Sequence, residues 1–225
     1  MSIRAAAVIL AGGSGSRVGA GINKVLLPLG DAPVIAHSIR AALHVPEIHR
    51  LVLVVRPEDR DEISAAVAPH LGERDLWLVD GGPERHHSEW HALLALSTEI
   101  DAGEIDVVAI HDGARPLARA ALWREVIEAA ARVGGALPVA SLPGLLGPAG
   151  TPAPLVGVQT PQAFRATPLL AAYQQAHTDG FVGTDTASCL ERYADSAIAA
   201  VASGPANLKV TWPEDVSLAA RLLTR

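Results

Sequence analysis

Cations, glycines and carboxylates fall at spacings suited to phosphate chemistry in several stretches of this chain. The densest runs from Leu10 to Gly30, LAGGSGSRVGAGINKVLLPLG. Its glycines let the backbone approach a ligand and turn N–H groups inward, forming a nest for anions. Arg17 and Lys24 on the same turn would meet a polyphosphate lying along those amides. The chemistry implied is the cradling of a nucleoside triphosphate. A second stretch, His111-Asp112-Gly113-Ala114-Arg115-Pro116, sets a carboxylate after an apolar run. Beside a triphosphate, Asp112 suits Mg²⁺, which takes one or two protein carboxylates and completes its shell with phosphate oxygens and water. Asp112 equally suits a turn residue or a helix cap. A third, Gly81-Gly82-Pro83-Glu84-Arg85-His86-His87-Ser88, offers free amides and the Ser88 hydroxyl to a base edge or sugar, or simply starts a capped helix. Lys209, in Asn207-Leu208-Lys209-Val210-Thr211, is a cation in an apolar strand-like run, either at an exposed edge or reaching into a site. Thr184-Asp185 opens a helix, where either residue can cap.

Better-known phosphate loops do not fit. A Walker loop needs Gly-Lys followed by Ser or Thr, but Lys24 lies between Asn23 and Val25. A dinucleotide fingerprint starting at Gly13 and Gly15 fails at Val18, and the acidic residue expected after the next strand is replaced by Arg56. His87 and His91 share a helix face at i, i+4, but their glutamate is displaced from the zinc-protease position and no third ligand is evident. A surface helix is the better account of that segment.

The elements that must position these groups alternate. Strands are expected at Ala5–Leu10, Leu51–Arg56, Leu76–Val79, Val107–Ile110 and Ala136–Ala140. Helices are expected at Val34–Leu43, Asp59–Leu71, Arg85–Leu96 and Ala118–Arg132. This order predicts an α/β, Rossmann-like fold: a mostly parallel sheet with helices on both faces and ligands at the strands' carboxyl ends. The stretch from Ser141 to Thr160 has no charged residue and is rich in Gly and Pro, so it reads as an extended excursion. Helices resume at Thr167–His177, Asp185–Tyr193 and Glu214–Leu223, with a short strand near Ala197–Ala202.

At 225 residues, 49% hydrophobic and 19% charged, the chain reads as one globular domain. Its formal net charge of −6 argues against a nucleic-acid surface. The one cysteine, Cys189, forms no internal disulfide, and no run approaches a membrane span. A soluble cytoplasmic protein with no membrane partner is expected.

In order, LAGGSGSRVGAGINKVLLPLG, VDGGPERHHS, HDGARP, VQTPQAF, GTDTAS and NLKVTWPEDV resemble the 2-C-methyl-D-erythritol 4-phosphate cytidylyltransferases over almost the whole chain. The related ribitol-5-phosphate cytidylyltransferases are also similar. The resemblance implies a CTP-dependent nucleotidyltransferase of isoprenoid biosynthesis or polyol-phosphate activation. It implies that Arg17 and Lys24 bind the triphosphate, Asp112 holds Mg²⁺ and Lys209 contacts the α-phosphate. Ala11, Gly12, Gly13, Ser14, Gly15, Gly82, Arg85 and Ser88 would bind the nucleotide. Arg115, Thr160, Thr184 and Asp185 would line the acceptor end.

Two departures bear on the acceptor and the nucleotide. The family's arm after the fifth strand helps build a homodimer and grips the acceptor phosphate with an Asp-Thr pair and an arginine. Here Ser141 to Val158 is shorter and lacks both, so Arg115 or Arg165 would have to substitute, or the acceptor differs. The homodimer expectation is weakened accordingly. Pro83 stands where many relatives carry an acidic residue and offers neither carboxylate nor N–H to a base. Besides methylerythritol phosphate transfer, the readings left open are transfer to another polyol phosphate or phosphonate and a catalytically weak nucleotide-binding relative.

Overall fold

The computed structural model describes residues 2–13, 23–142 and 155–224. Ser14, Gly15, Arg17 and most of the arm lie outside these residues.

Ten strands and seven α-helices occur among the described residues. The strands are β1 (Ala5–Leu10), β2 (Pro28–Leu29), β3 (Ala32–Pro33), β4 (Ile48–Val55), β5 (Trp77–Asp80), β6 (Val107–Asp112), β7 (Gly134–Ser141), β8 (Val156–Val158), β9 (Gln162–Arg165) and β10 (Ala197–Ala202). The helices are α1 (Val34–Leu43), α2 (Arg60–Val67), α3 (Arg85–Asp101), α4 (Ala120–Val133), α5 (Ala166–Asp179), α6 (Thr186–Tyr193) and α7 (Pro213–Leu223). The main sheet has the order β10-β7-β9-β6-β1-β4-β5, with β8 on β7. Pairings β1–β4, β1–β6, β4–β5 and β7–β10 are parallel. Only β8 and β9 run against the rest.

Strand periodicity explains the two-sided cover. Along β1, Ala5, Ala7 and Ile9 face a core shared with α1, α2 and α4. Ala6 and Val8 face a second core shared with α3, α5 and α6. Successive side chains of a strand alternate faces, so a sheet buried on both sides reads as a continuous apolar run.

Several boundaries differ from the sequence reading. The helix expected over Asp59–Leu71 stops at Val67, where a short 3₁₀ turn takes over around Pro69; proline lacks the N–H an α-helix needs there. The run 207–211 is irregular rather than a strand, tied down by the Val210 N–H to Ala114 O at 2.8 Å. The short antiparallel β9 was not anticipated. Nor is α3 a surface helix: His86, Ser88 and Glu89 are buried along it.

Candidate active site

Four carboxyl-terminal strand ends converge on one cleft. Leu10, at the end of β1, sits opposite Val54 on one side and Asp112 on the other. Gly113 N–H bonds Leu10 O at 2.9 Å, and Gly81 N–H bonds Val55 O at 2.7 Å. The glycine turn, the Gly81–Ser88 turn and Asp112 are therefore brought together by sheet register. The cleft has a volume of about 630 Å³ and is lined by Ala11, Gly12, Gly13, Lys24, Gly82, Arg85, Ser88, Asp112 and Lys209, among others. Every described residue expected to bind nucleotide, phosphate or metal is among those named.

Glycine is required at two of these bends. A Cβ at Gly82 would lie 2.3 Å from the His87 Cβ, and one at Gly113 would lie 2.5 Å from the Ile35 Cδ1. The Ser88 hydroxyl accepts the Gly82 N–H at 3.1 Å, so it holds its own turn while its proton stays free to donate. Lys24 is buried at the start of a short 3₁₀ turn. Its predecessor Asn23 pins the return of the glycine turn: its amide donates to Ala11 O at 2.9 Å and to Asp59 Oδ2 at 2.7 Å, while its oxygen accepts the Val25 N–H.

Asp112 is the electrostatic centre, 6% exposed. Arg85 donates through Nη1 to its Oδ1. Lys209 Nζ lies 2.8 Å from Oδ2, and Arg115 Nε 3.6 Å from the same oxygen. Burial disfavours the charged carboxylate, but Arg85 and Lys209 outweigh it and hold Asp112 well below the usual carboxylate range. Asp112 fits a divalent cation as a lone protein ligand, because it is ionised and lines the cleft. No group of three His, Cys, Asp or Glu among the described residues could hold a metal. An ion here would draw its remaining ligands from phosphate oxygens and water.

A buried hydrogen-bond chain fixes the other face of Asp112. Its N–H donates to Thr160 Oγ1 at 3.0 Å, and that hydroxyl meets His111 Nδ1 at 3.0 Å. His111 Nε2 lies 3.2 Å from Arg115 O. A carbonyl only accepts, so Nε2 carries the proton and the Thr160 hydroxyl donates to Nδ1. Burial pushes the His111 imidazole down to about 3, which keeps it neutral. Arg115 donates to Asn207 O at 2.7 Å, and Asn207 donates to Thr160 O at 2.9 Å.

The residues expected at the acceptor end are more scattered. Thr160 and Arg115 lie behind Asp112 rather than on the cleft wall. Thr184 is exposed, and Asp185 caps α6, accepting the Ser188 N–H at 2.9 Å. Arg165 is not available as a substitute cation. It pairs with Val107, at the opposite end of β6 from Asp112, and donates to Ala131 O and Arg132 O. There it satisfies the C-terminal carbonyls of α4.

Two cleft residues escaped sequence reasoning. Arg56 and Glu58 line the cleft beside Lys24, with the Arg56 guanidinium 2.6 Å from Asp59 and 3.1 Å from Glu58. Their position after a strand was visible, but a cation balanced by two carboxylates carries no motif.

The model of a family described as 2-C-methyl-D-erythritol 4-phosphate cytidylyltransferase matches residues 5–225. A protein of that name from Geobacillus kaustophilus is 36% identical over 225 residues, covering 96% of each chain. Another from Desulforamulus reducens is 36% identical over 229 residues, covering 97% of this chain and 95% of its own. Among solved structures, 4-diphosphocytidyl-2C-methyl-D-erythritol synthase from Anaerococcus prevotii superposes with a TM-score of 0.84 at 25% identity, covering 100% of this chain and 97% of its own.

Proposed function

Since the chain belongs to the 2-C-methyl-D-erythritol 4-phosphate cytidylyltransferase family, and so to the nucleotidyltransferases, we propose that it transfers CMP from CTP to methylerythritol phosphate and releases pyrophosphate. The observation that carries this reading is the convergence of Lys24, Arg85, Lys209 and Asp112 on the cleft at the Gly12–Gly13 turn.

The acceptor is a phosphate monoester, mostly dianionic at neutral pH because its second pKa is about 6. Its oxygen attacks the α-phosphorus in line. The new O–P bond forms as the bond to the β-phosphate oxygen breaks and pyrophosphate leaves with its electron pair. No general base is needed, in keeping with a site that offers cations rather than an acid–base pair. The difficulty is two anions meeting while charge grows on the leaving group, so catalysis is positioning and electrostatic stabilisation.

Lys24, with Arg17, holds the β- and γ-phosphates. Lys209 stabilises the reacting centre. Bound at Asp112, Mg²⁺ would neutralise triphosphate charge. Ala11 to Gly15, Gly82, Arg85 and Ser88 bind the nucleotide, while Arg115, Thr160, Thr184 and Asp185 serve the acceptor end. With Arg165 committed to α4, Arg115 is the remaining candidate of the two, and its guanidinium, held by Asp112 and Asn207 O behind the cleft wall, would have to turn to answer the acceptor phosphate. The chain acts as one domain from 1 to 225 and as a homodimer. Exposed Leu142, Val156 and Val158 at the root of the arm support an apolar contact between two copies. No helix among the described residues is long and apolar enough to cross a membrane, and a cytoplasmic location accords with this.

The test is pyrophosphate release with CTP and Mg²⁺, run in parallel with methylerythritol 4-phosphate, ribitol 5-phosphate and no acceptor. Release that depends on methylerythritol phosphate supports the reading. Release only with ribitol phosphate, or with neither, overturns it.

A further inference from the structure

Glu89 is a fully buried carboxylate beside the cleft that the proposed chemistry does not use, and its surroundings are unusual. Its side chain is fully buried on α3. Arg85 and Glu89 are one helical turn apart, at i and i+4, and so share a face. The Arg85 Nε sits 2.8 Å from Glu89 Oε1, close enough for an ion pair though without hydrogen-bond geometry. The same oxygen accepts from the Thr186 hydroxyl at 3.0 Å, and Oε2 accepts from the Tyr173 hydroxyl. Thr186 is the first residue of α6, directly after Thr184-Asp185; Tyr173 lies in the middle of α5.

Burying a carboxylate is expensive, and replacing a whole buried ion pair by apolar residues of similar volume is often neutral or stabilising. Ala92 and Leu93, one turn on along α3, and Tyr173, whose hydroxyl Glu89 accepts, belong to the apolar core that an uncharged residue here would join. A carboxylate retained there calls for a role beyond packing. The guanidinium beside it supplies one. Arg85 reaches Asp112 through Nη1 and Glu89 through Nε, while Nη2 is buried with no hydrogen-bond partner. A guanidinium presents its donors in a rigid planar fork, so fixing two nitrogens fixes the third.

We propose that Glu89 is a positioning residue. It locks the Arg85 fork against Asp112, and through Thr186 it ties that fork to the turn carrying Thr184. One buried carboxylate thereby couples the nucleotide side of the cleft to the acceptor side. This rests on the nucleotidyl-transfer reading above. Arg85 on its own still has Asp112 as a partner, but a single contact leaves the fork free to rotate about it. Tyr173 and Thr186 hold the carboxylate that supplies the second contact, and they arrive from two other helices.

The test is a mutant cycle in the full chain. Glu89→Leu removes the acceptor at nearly constant volume. It is expected to lower the melting temperature, because Arg85 loses a counter-charge and the Tyr173 and Thr186 hydroxyls lose their acceptor, while kcat/KM falls about 10-fold or more. Glu89→Gln keeps one oxygen for Arg85 and is expected to recover most of that loss. In an Arg85→Ala background, Glu89→Leu is expected to change kcat/KM less than 2-fold, since nothing remains to be positioned. Equal losses in both backgrounds, or full activity of Glu89→Leu beside wild type, overturn the proposal. So does a Glu89→Gln variant that regains the melting temperature but none of the activity. Titration of CTP with Mg²⁺ into the same four proteins reads the coupling without turnover. Non-additive losses of affinity support it and additive ones overturn it. A wild-type chain that binds CTP but transfers nothing to methylerythritol phosphate defeats the functional reading instead, and the titration cycle still decides the role of Glu89.

Discussion

Lys209 Nζ and Asp112 Oδ2 stand 2.8 Å apart, joining a segment near the C-terminus to the end of a central strand across the mouth of the cleft. The ion pair holds an otherwise flexible lysine at the place where, in the proposed reaction, charge would accumulate during transfer. Replacing Lys209 with alanine is expected to lower kcat by ~10²-fold, the scale for deleting one transition-state contact. Lysine presents a point charge and arginine a planar fork, so Lys209→Arg should recover only part of the loss. Steady-state kinetics at saturating CTP checks both, and near-wild-type turnover of the alanine variant would remove Lys209 from the mechanism.

Lys24→Ala should behave likewise, with kcat reduced ~10²-fold or more. Asn23→Ala should act differently. Its amide ties Ala11 O and Asp59 to the returning turn, so its loss loosens the triphosphate cradle, while Asp59 keeps Arg56 as a partner. The expected result is a several-fold rise in the KM for CTP, an unchanged KM for the acceptor, and about 1–3 kcal/mol less stability from the unsatisfied carbonyl.

The acid side of the pH profile should follow the substrate rather than the enzyme. Arg85 and Lys209 hold Asp112 ionised throughout the working range despite its burial. Its folded pKa is depressed, so its contribution to stability is present above about pH 3.9, the unfolded value, and is lost only as pH falls below that. The fall in kcat/KM is therefore expected near pH 6, with the second ionisation of the acceptor phosphate. A phosphonate analogue, titrating higher, should move that limb upward. A limb that stays fixed when the acceptor changes would assign it to a protein group.

The two candidate acceptor cations separate cleanly. Arg115→Ala is expected to raise the acceptor KM about 10-fold or more, as for a charge-assisted contact of roughly 1.5–3 kcal/mol. Arg165→Ala is expected to leave it unchanged and to reduce stability modestly, since its guanidinium caps α4. An acceptor effect at Arg165 would contradict its placement at the far end of β6.

Cys189 should be chemically silent. It is fully buried, with its Sγ 3.7 Å from Ala172 O, and burial pushes the thiol up to about 12. Native protein at pH 8 is expected to resist a thiol-reactive dye, with complete labelling only after denaturation.

The parts of this molecule carried by continuous segments were legible from the chain. Apolar runs such as Ala5–Leu10 announced the strands, and the glycine turn after Leu10 announced the cleft, because both signals are local. The partners of Asp112 were named individually, but not as a cluster. Arg85, Arg115 and Lys209 come from different elements, and only the register of β1 with β6 draws the glycine turn to them. Glu89 was invisible for the same reason. A glutamate beside Trp90 and His91 reads as a solvated helix face until Tyr173 and Thr186 arrive from α5 and α6. The strand β9 was hidden by its length and by the proline before it. Arg165 stayed open as a substitute cation because its distance from Asp112 depends on that strand running backwards.

Ser141 pairs with Val156, and the Leu142 N–H reaches Leu155 O at 3.0 Å. The chain thus leaves the sheet and re-enters it at the same point. Whatever is inserted between these two residues hangs from a closed clasp, and lengthening it adds closure entropy only logarithmically. Residues 143–154 can therefore be exchanged as a cassette. A longer, charged arm taken from a relative is expected to graft onto this clasp while Asp112, Thr160 and Lys209 keep their mutual contacts, so acceptor choice can be tested separately from the cleft.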